Sequence, residues 1–76
     1  MNTLFLQLLG QKIKECRRLQ HISQEDLAWR CGMTKNGLGK IELGRSNVRI
    51  TTLLSIMKEL KISFEELQKI NDTCSE

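Results

Sequence analysis

The run from Gly32 to Lys40, Gly-Met-Thr-Lys-Asn-Gly-Leu-Gly-Lys, holds three of the chain's five glycines, two lysines and an asparagine. Residues of these kinds, this close together, suit two chemistries. Glycine backbones beside a lysine can cradle a nucleotide phosphate, which points to an enzyme. A turn glycine followed by helical Lys and Asn can instead present hydrogen-bonding groups to base edges, which points to a binder. A Walker loop requires Gly, four residues, then Gly-Lys-Ser/Thr directly after a buried strand. Gly32 and Gly37 have that spacing, but Leu38 stands at the lysine position. Lys40 comes two places late, and Ile41 follows it in place of a hydroxyl. The dinucleotide pattern G-x-G-x-x-G fails at Glu42, and no strand-like run precedes either pattern. Phosphate-loop chemistry is set aside.

Other site chemistries are also poorly supplied. Cys16, Cys31 and Cys74 are odd in number and form no C-x-x-C pair, and the single His21 is followed by no second histidine or cysteine at i+3 to i+5. Neither a disulfide framework nor a zinc site is expected, and reduced thiols suit a cytoplasmic setting. No nucleophile–base pair or paired carboxylates mark a catalytic pocket, so no enzyme activity, cofactor or metal is expected. A 76-residue chain makes one domain, which buries only ~60% of its unfolded surface and leaves little room for a deep cavity. The apolar start "MNTLFLQLLG" is short and has no basic segment before it, so neither a signal peptide nor a membrane span is expected. The net charge of +3 is unevenly spread. Residues 1–50 carry nine Lys/Arg against four Asp/Glu, and residues 51–76 carry three against five. A basic front and an acidic tail imply a polyanion on one side only.

The elements that position these residues are helical. Leu6, Leu9, Ile13 and Cys16 recur at helical spacing and predict a first helix over 3–19. His21 stands where a left-handed turn ends it. Ser23 caps a short second helix with acids in its first turn, and Gly32 interrupts that helix. Thr34 caps a third. The run "ITTLLSIMKEL" gives a fourth with Ile50, Leu53, Leu54, Met57 and Leu60 on its buried side. Ser63 and Glu66 form a capping box for a fifth. Residues 1–70 thus read as one all-α domain, and 71–76 as a frayed tail. Between the second and third helices, Ala28 is small enough for a steep helix crossing, and Gly32, four residues on, permits positive φ. Leu27, Cys31, Met33, Leu38 and Ile41 supply the apolar interior.

That joint pattern, "SQEDLAWRCGMTKNGLGKIELGRS", resembles the DNA-binding core of the XRE family, the helix-turn-helix proteins of phage Cro and repressor type. The similarity runs from about Leu9 to Leu67. The loop "LGRSNVRITTL" also resembles the controller proteins of restriction–modification systems. The resemblance implies a compact five-helix lambda-repressor-like fold that binds operator DNA as a dimer. By carry-over, Lys35, Asn36 and Lys40 face the major groove, where Asn can pair bidentately with adenine and Lys can donate to guanine. Phosphate contacts fall on Gln24 with the second helix's first amides, and on Thr34, Arg45, Asn47 and Arg49. The family's ion pair between its first helix and the end of its recognition helix falls on Arg17 and Glu42. Lys12, Lys14 and Arg18 read as a solvated face with a minor steering role.

Four further residues and two glycines complete the expectations. Phe64, Leu67 and Ile70 make an apolar stripe on the last helix, where the family often dimerises, although Phe64 by itself suits closing the monomer core. Trp29 is expected as partly buried scaffold. Gly37 and Gly39 lie inside the recognition helix, at ~1 kcal/mol each relative to alanine. Either packing tolerates that weakness, or the missing side chains let the helix sit closer to a duplex. The expected function is a homodimeric, sequence-specific transcriptional regulator acting on a palindromic operator in double-stranded DNA. One alternative is an antitoxin or restriction–modification controller with a protein partner on its acidic C-terminal face. The other is a helix-turn-helix interaction module that no longer binds DNA.

Overall fold

Apolar side chains three and four residues apart draw five short helices around one core. The computed structural model describes residues 3–74. In it α1 spans Thr3–Leu19, α2 Gln24–Arg30, α3 Lys35–Glu42, α4 Ile50–Leu60 and α5 Phe64–Cys74. No strand occurs among the described residues. The core consists of Leu9 and Ile13 from α1, Leu27 and Ala28 from α2, Leu38 and Ile41 from α3, Leu53, Ile56, Met57 and Leu60 from α4, and Ile62 after it.

Local chemistry fixes most of the boundaries. Ser23 Oγ accepts the Asp26 N–H at 3.0 Å, and Thr34 Oγ1 accepts the Gly37 N–H at 3.0 Å. Each satisfies an amide that the first turn of a helix leaves without a partner. Ser63 and Glu66 form a reciprocal box, with the Glu66 N–H on Ser63 Oγ at 3.2 Å and the Ser63 N–H on Glu66 Oε2 at 2.9 Å. His21 (φ 57°) closes α1 in a left-handed turn, and Lys61 (φ 60°) does the same for α4. Gly32 turns the chain between α2 and α3 at φ 67°, and the Met33 N–H returns to the Ala28 carbonyl at 2.9 Å.

Several sequence expectations change here. Trp29 is 81% exposed and is not scaffold. The one buried face of the two-turn α2 is taken by Leu27 and Ala28, and the next residue is rotated ~100° away from it. On α4 the buried seam is Leu53, Ile56, Met57 and Leu60. Ile56 therefore replaces Ile50 and Leu54, which are exposed. Phe64 is also exposed, at the first turn of α5, and does not close the core. Residues 71–74 continue α5 where a frayed tail was expected, with Gln68 bonded to Asp72 and Thr73 Oγ1 donating to the Lys69 carbonyl. Residues 75 and 76 lie outside the described residues.

Candidate nucleic-acid interface

The third helix has eight residues, two of them glycine, so it depends on tertiary contacts to stay formed. Leu38 and Ile41 fix its underside in the core. Its end is fixed by charge. Arg17 Nε donates to Glu42 Oε2 at 2.7 Å and Nη2 to Oε1 at 3.1 Å, a two-pronged pair that only guanidinium geometry allows. The Gln24 amide donates to the same Oε1 at 2.9 Å, and Arg17 Nη1 donates to the Ile22 carbonyl at 2.9 Å. Both ionised residues are buried. The network joins α1, the α1–α2 turn, the first residue of α2 and the last turn of α3. No buried side-chain polar atom among the described residues lacks a partner, as a buried ion pair requires if it is not to cost stability.

With its inner face held this way, α3 turns Lys35, Asn36 and Lys40 to solvent together. Thr34 is exposed at its start, although its hydroxyl is already engaged as the cap. Arg45, Asn47 and Arg49 are exposed in the loop that follows. That loop is tied back to α3 by the Arg45 N–H on the Lys40 carbonyl at 2.9 Å. Gly44 makes this turn at φ 72° with Gln7 so close that a Cβ would lie 2.7 Å from its Cα. The expected base-reading and phosphate-contacting residues therefore flank one another along α3 and its following loop. Gln24 differs from the rest, being half-buried with its amide committed to Glu42.

Two features escaped the sequence reading. Lys14 and Arg18 line a groove together with Lys35, Ser23, Gln24 and Glu25. The first helix thus adds cations beside the start of the recognition helix, whereas Lys12 is paired with Glu66 at 3.5 Å on another side. The i, i+4 spacing of Lys14 and Arg18 was visible; which groove that face borders was not. The second is Gly10, where a Cβ would sit 2.5 Å from the Glu42 carbonyl oxygen. Here α1 and α3 meet backbone to backbone.

The remaining candidates lie apart from this face. Phe64 and Leu67 border a groove with Phe5, Gln68 and Asn71. Ile70 borders a different one with Leu8, Lys12 and Glu66. The three residues read as one stripe thus border two separate grooves. Burial pushes the Cys16 and Cys31 thiols up from their ordinary range, which disfavours the reactive thiolate. No group of His, Cys, Asp and Glu among the described residues is arranged to hold a metal ion. No helix among them is long and apolar enough to cross a membrane.

Comparison with known proteins agrees with this fold. A family model described as helix-turn-helix matches residues 13–67. The SPbeta prophage-derived uncharacterized HTH-type transcriptional regulator YonR of Bacillus subtilis (strain 168) is 32% identical over 62 residues. The match takes in 82% of this chain but only 57% of that protein. Control protein C.SmaI of Serratia marcescens is 30% identical over 61 residues, 80% of this chain and 73% of its own length. The crystal structure of the restriction-modification controller protein C.AhdI from Aeromonas hydrophila superposes with a TM-score of 0.75 at 34% identity. It covers 82% of this chain and 94% of that one.

Proposed function

This chain belongs to the helix-turn-helix family of transcriptional regulators, and on that premise we propose that it binds a palindromic operator as a homodimer. The observation that supports this best is the exposed Lys35–Asn36–Lys40 face of α3, held from beneath by the Arg17–Glu42–Gln24 network. A helix whose inner side cannot rotate presents its outer side in one orientation, as direct readout requires. Asn36 reads a base, Lys35 and Lys40 add donors at base edges, and Thr34, Arg45, Asn47 and Arg49 set the register on phosphates. Gln24 acts through its grip on Glu42 as much as through a phosphate. Lys14 and Arg18 extend the positive surface.

One α3 supplies only a few base contacts, too few to select a site among ~10⁶ or more competitors. A two-fold dimer doubles them. The exposed Phe64 beside Leu67 and Phe5, with Ile70 bordering the neighbouring groove, offers apolar surface for such a contact. A narrower reading, a restriction–modification controller, is favoured by the near-complete coverage of C.AhdI, against 57% of the prophage regulator.

The test is site selection from a randomised duplex pool followed by affinity measurements at several salt concentrations. The wild type is expected to enrich one palindromic sequence, with log affinity falling linearly against log salt. Arg45→Ala should weaken all sequences alike and make the salt slope shallower by ~1. Asn36→Ala should instead flatten discrimination at one base pair per half-site, by ~1–3 kcal/mol. A flat salt response, or equal losses on all sequences from both variants, rejects this assignment.

A further inference from the structure

Four of the five glycines have reasons inside the protein. Gly32 and Gly44 adopt positive φ, at 67° and 72°. Gly10 touches the backbone of α3, where a Cβ has no room. Gly37 lies under the cap of its own helix, and a Cβ there would meet Thr34 Oγ1 at 3.1 Å, which is tight. Gly39 has no such reason. It is helical with no positive φ, and a Cβ at this position would meet only the Gln24 amide, at the ordinary contact distance of 3.8 Å. Nothing in the fold forbids a Cβ there, and helix propensity disfavours glycine in so short a helix.

The position of Gly39 supplies a reason outside the protein. On a helix it lies one turn from Lys35 and Asn36 and directly before Lys40, the residues exposed on the same face. Gln24, held by Glu42, stands beside it. The result is a patch of bare backbone bounded by polar and cationic side chains long enough to reach past it.

We propose that Gly39 is a specificity-determining position, a gap in the α3 surface that lets the edge of one base pair approach the helix backbone. Asn36 and the lysines then reach the neighbouring bases from a helix seated deeper in the major groove than a side chain at 39 would allow. This inference rests on the DNA-binding reading above. It makes an unusual demand, that filling position 39 strengthen the fold and weaken recognition at once.

The variants are Gly39→Ala and Gly39→Leu, both good helix formers. The probe is the duplex that wild-type protein enriches from the randomised pool, with a scrambled duplex as control. Melting temperature is expected to rise, by roughly 4–8 °C for alanine. Affinity for the selected duplex should fall modestly for alanine and by about tenfold or more for leucine, while scrambled-duplex binding stays unchanged. Leucine binding the selected duplex as tightly as wild type, with its discrimination intact, overturns the proposal and leaves the DNA-binding reading standing. A wild type that enriches no sequence overturns both. A lowered melting temperature would also count against it, because it would reveal an internal role for the glycine.

Discussion

Helices α3 and α5 reach stability by opposite routes. The third has poor intrinsic helicity, with glycine at two of eight positions, yet buries Leu38, Ile41 and Glu42 and is gripped from α1 and α2. The fifth has eleven residues, a complete capping box and acids in its first turn, yet buries none of them fully. Tertiary contacts make α3 what it is, whereas α5 adds its own capping to the partial packing of Leu67 and Ile70 on the core. A surface that must keep one orientation is secured from behind by other elements. A segment secured by its own caps keeps apolar side chains such as Phe64 outside the core, where a second copy can use them.

The largest test of that contrast is Glu42→Ala. It leaves the Arg17 guanidinium buried without its carboxylate and removes the acceptor for Gln24. Breaking one side of a buried pair costs ~3–5 kcal/mol, a large share of the ~4–11 kcal/mol expected for a domain of this length. Thermal denaturation without DNA should show a large drop. A loss below ~1 kcal/mol, within the range of exposed pairs, would mean α3 is not held by this network. Replacing both partners together, as Arg17→Met with Glu42→Leu, should recover much of the loss, because no lone charge remains.

The next effect concerns assembly. Phe64→Glu alters an exposed residue, so monomer stability should change by no more than ~0.5 kcal/mol. Sedimentation should nevertheless show a shift from dimer to monomer, with specific DNA binding lost and weak nonspecific binding kept. Leu67→Ala, which truncates a half-buried side chain packed on the core, should cost stability as well, by ~1–2 kcal/mol. If wild-type protein stays monomeric at micromolar concentration with its selected duplex present, α5 is not the contact. If Phe64→Glu dimerises normally, the contact lies elsewhere.

The same contrast explains what the sequence made legible. Features set by neighbours in the chain could be read directly: the Ser23, Thr34 and Ser63 caps, the left-handed His21, and Gly32 at the turn. Each depends on chemistry within three or four residues. Features set by which face of a helix meets which partner were harder. Apolar residues lie almost all round α4, so periodicity alone did not separate Ile56 from Leu54. Trp29 and Phe64 are large and apolar and suggested burial, but Trp29 falls one position off the face that α2 buries, and Phe64 stands in the first turn of a helix that buries none of its residues fully. Gly10 gave no local sign, because its reason is the α3 backbone, more than thirty residues away. The Arg17 and Glu42 positions came through resemblance. Their approach at 2.7 Å and their shared partner Gln24 are properties of the folded chain.

The smallest expected effect is a pH dependence confined to α5. The Glu66 carboxylate accepts the Ser63 N–H, and this bond, more than the nearby Lys12 ammonium, holds its pKa below the usual glutamate range. The unfolded chain has no such bond, so it binds a proton at higher pH than the folded one. The stabilisation is therefore complete above the ordinary glutamate range and disappears as pH falls through the lowered value. Glu66→Gln keeps an acceptor for the cap but removes the titrating charge. The protection factors of amides in the first turn of α5, with intrinsic exchange rates divided out, should thus fall toward acid pH in the wild type and depend less on acid in the variant, relative to α3 in the same samples. Because the group is exposed and screened, the melting temperature of the whole domain should barely separate the two proteins. A difference as large as that of Glu42→Ala would mean that α5, like α3, is held by the rest of the molecule, and the contrast between them would fail.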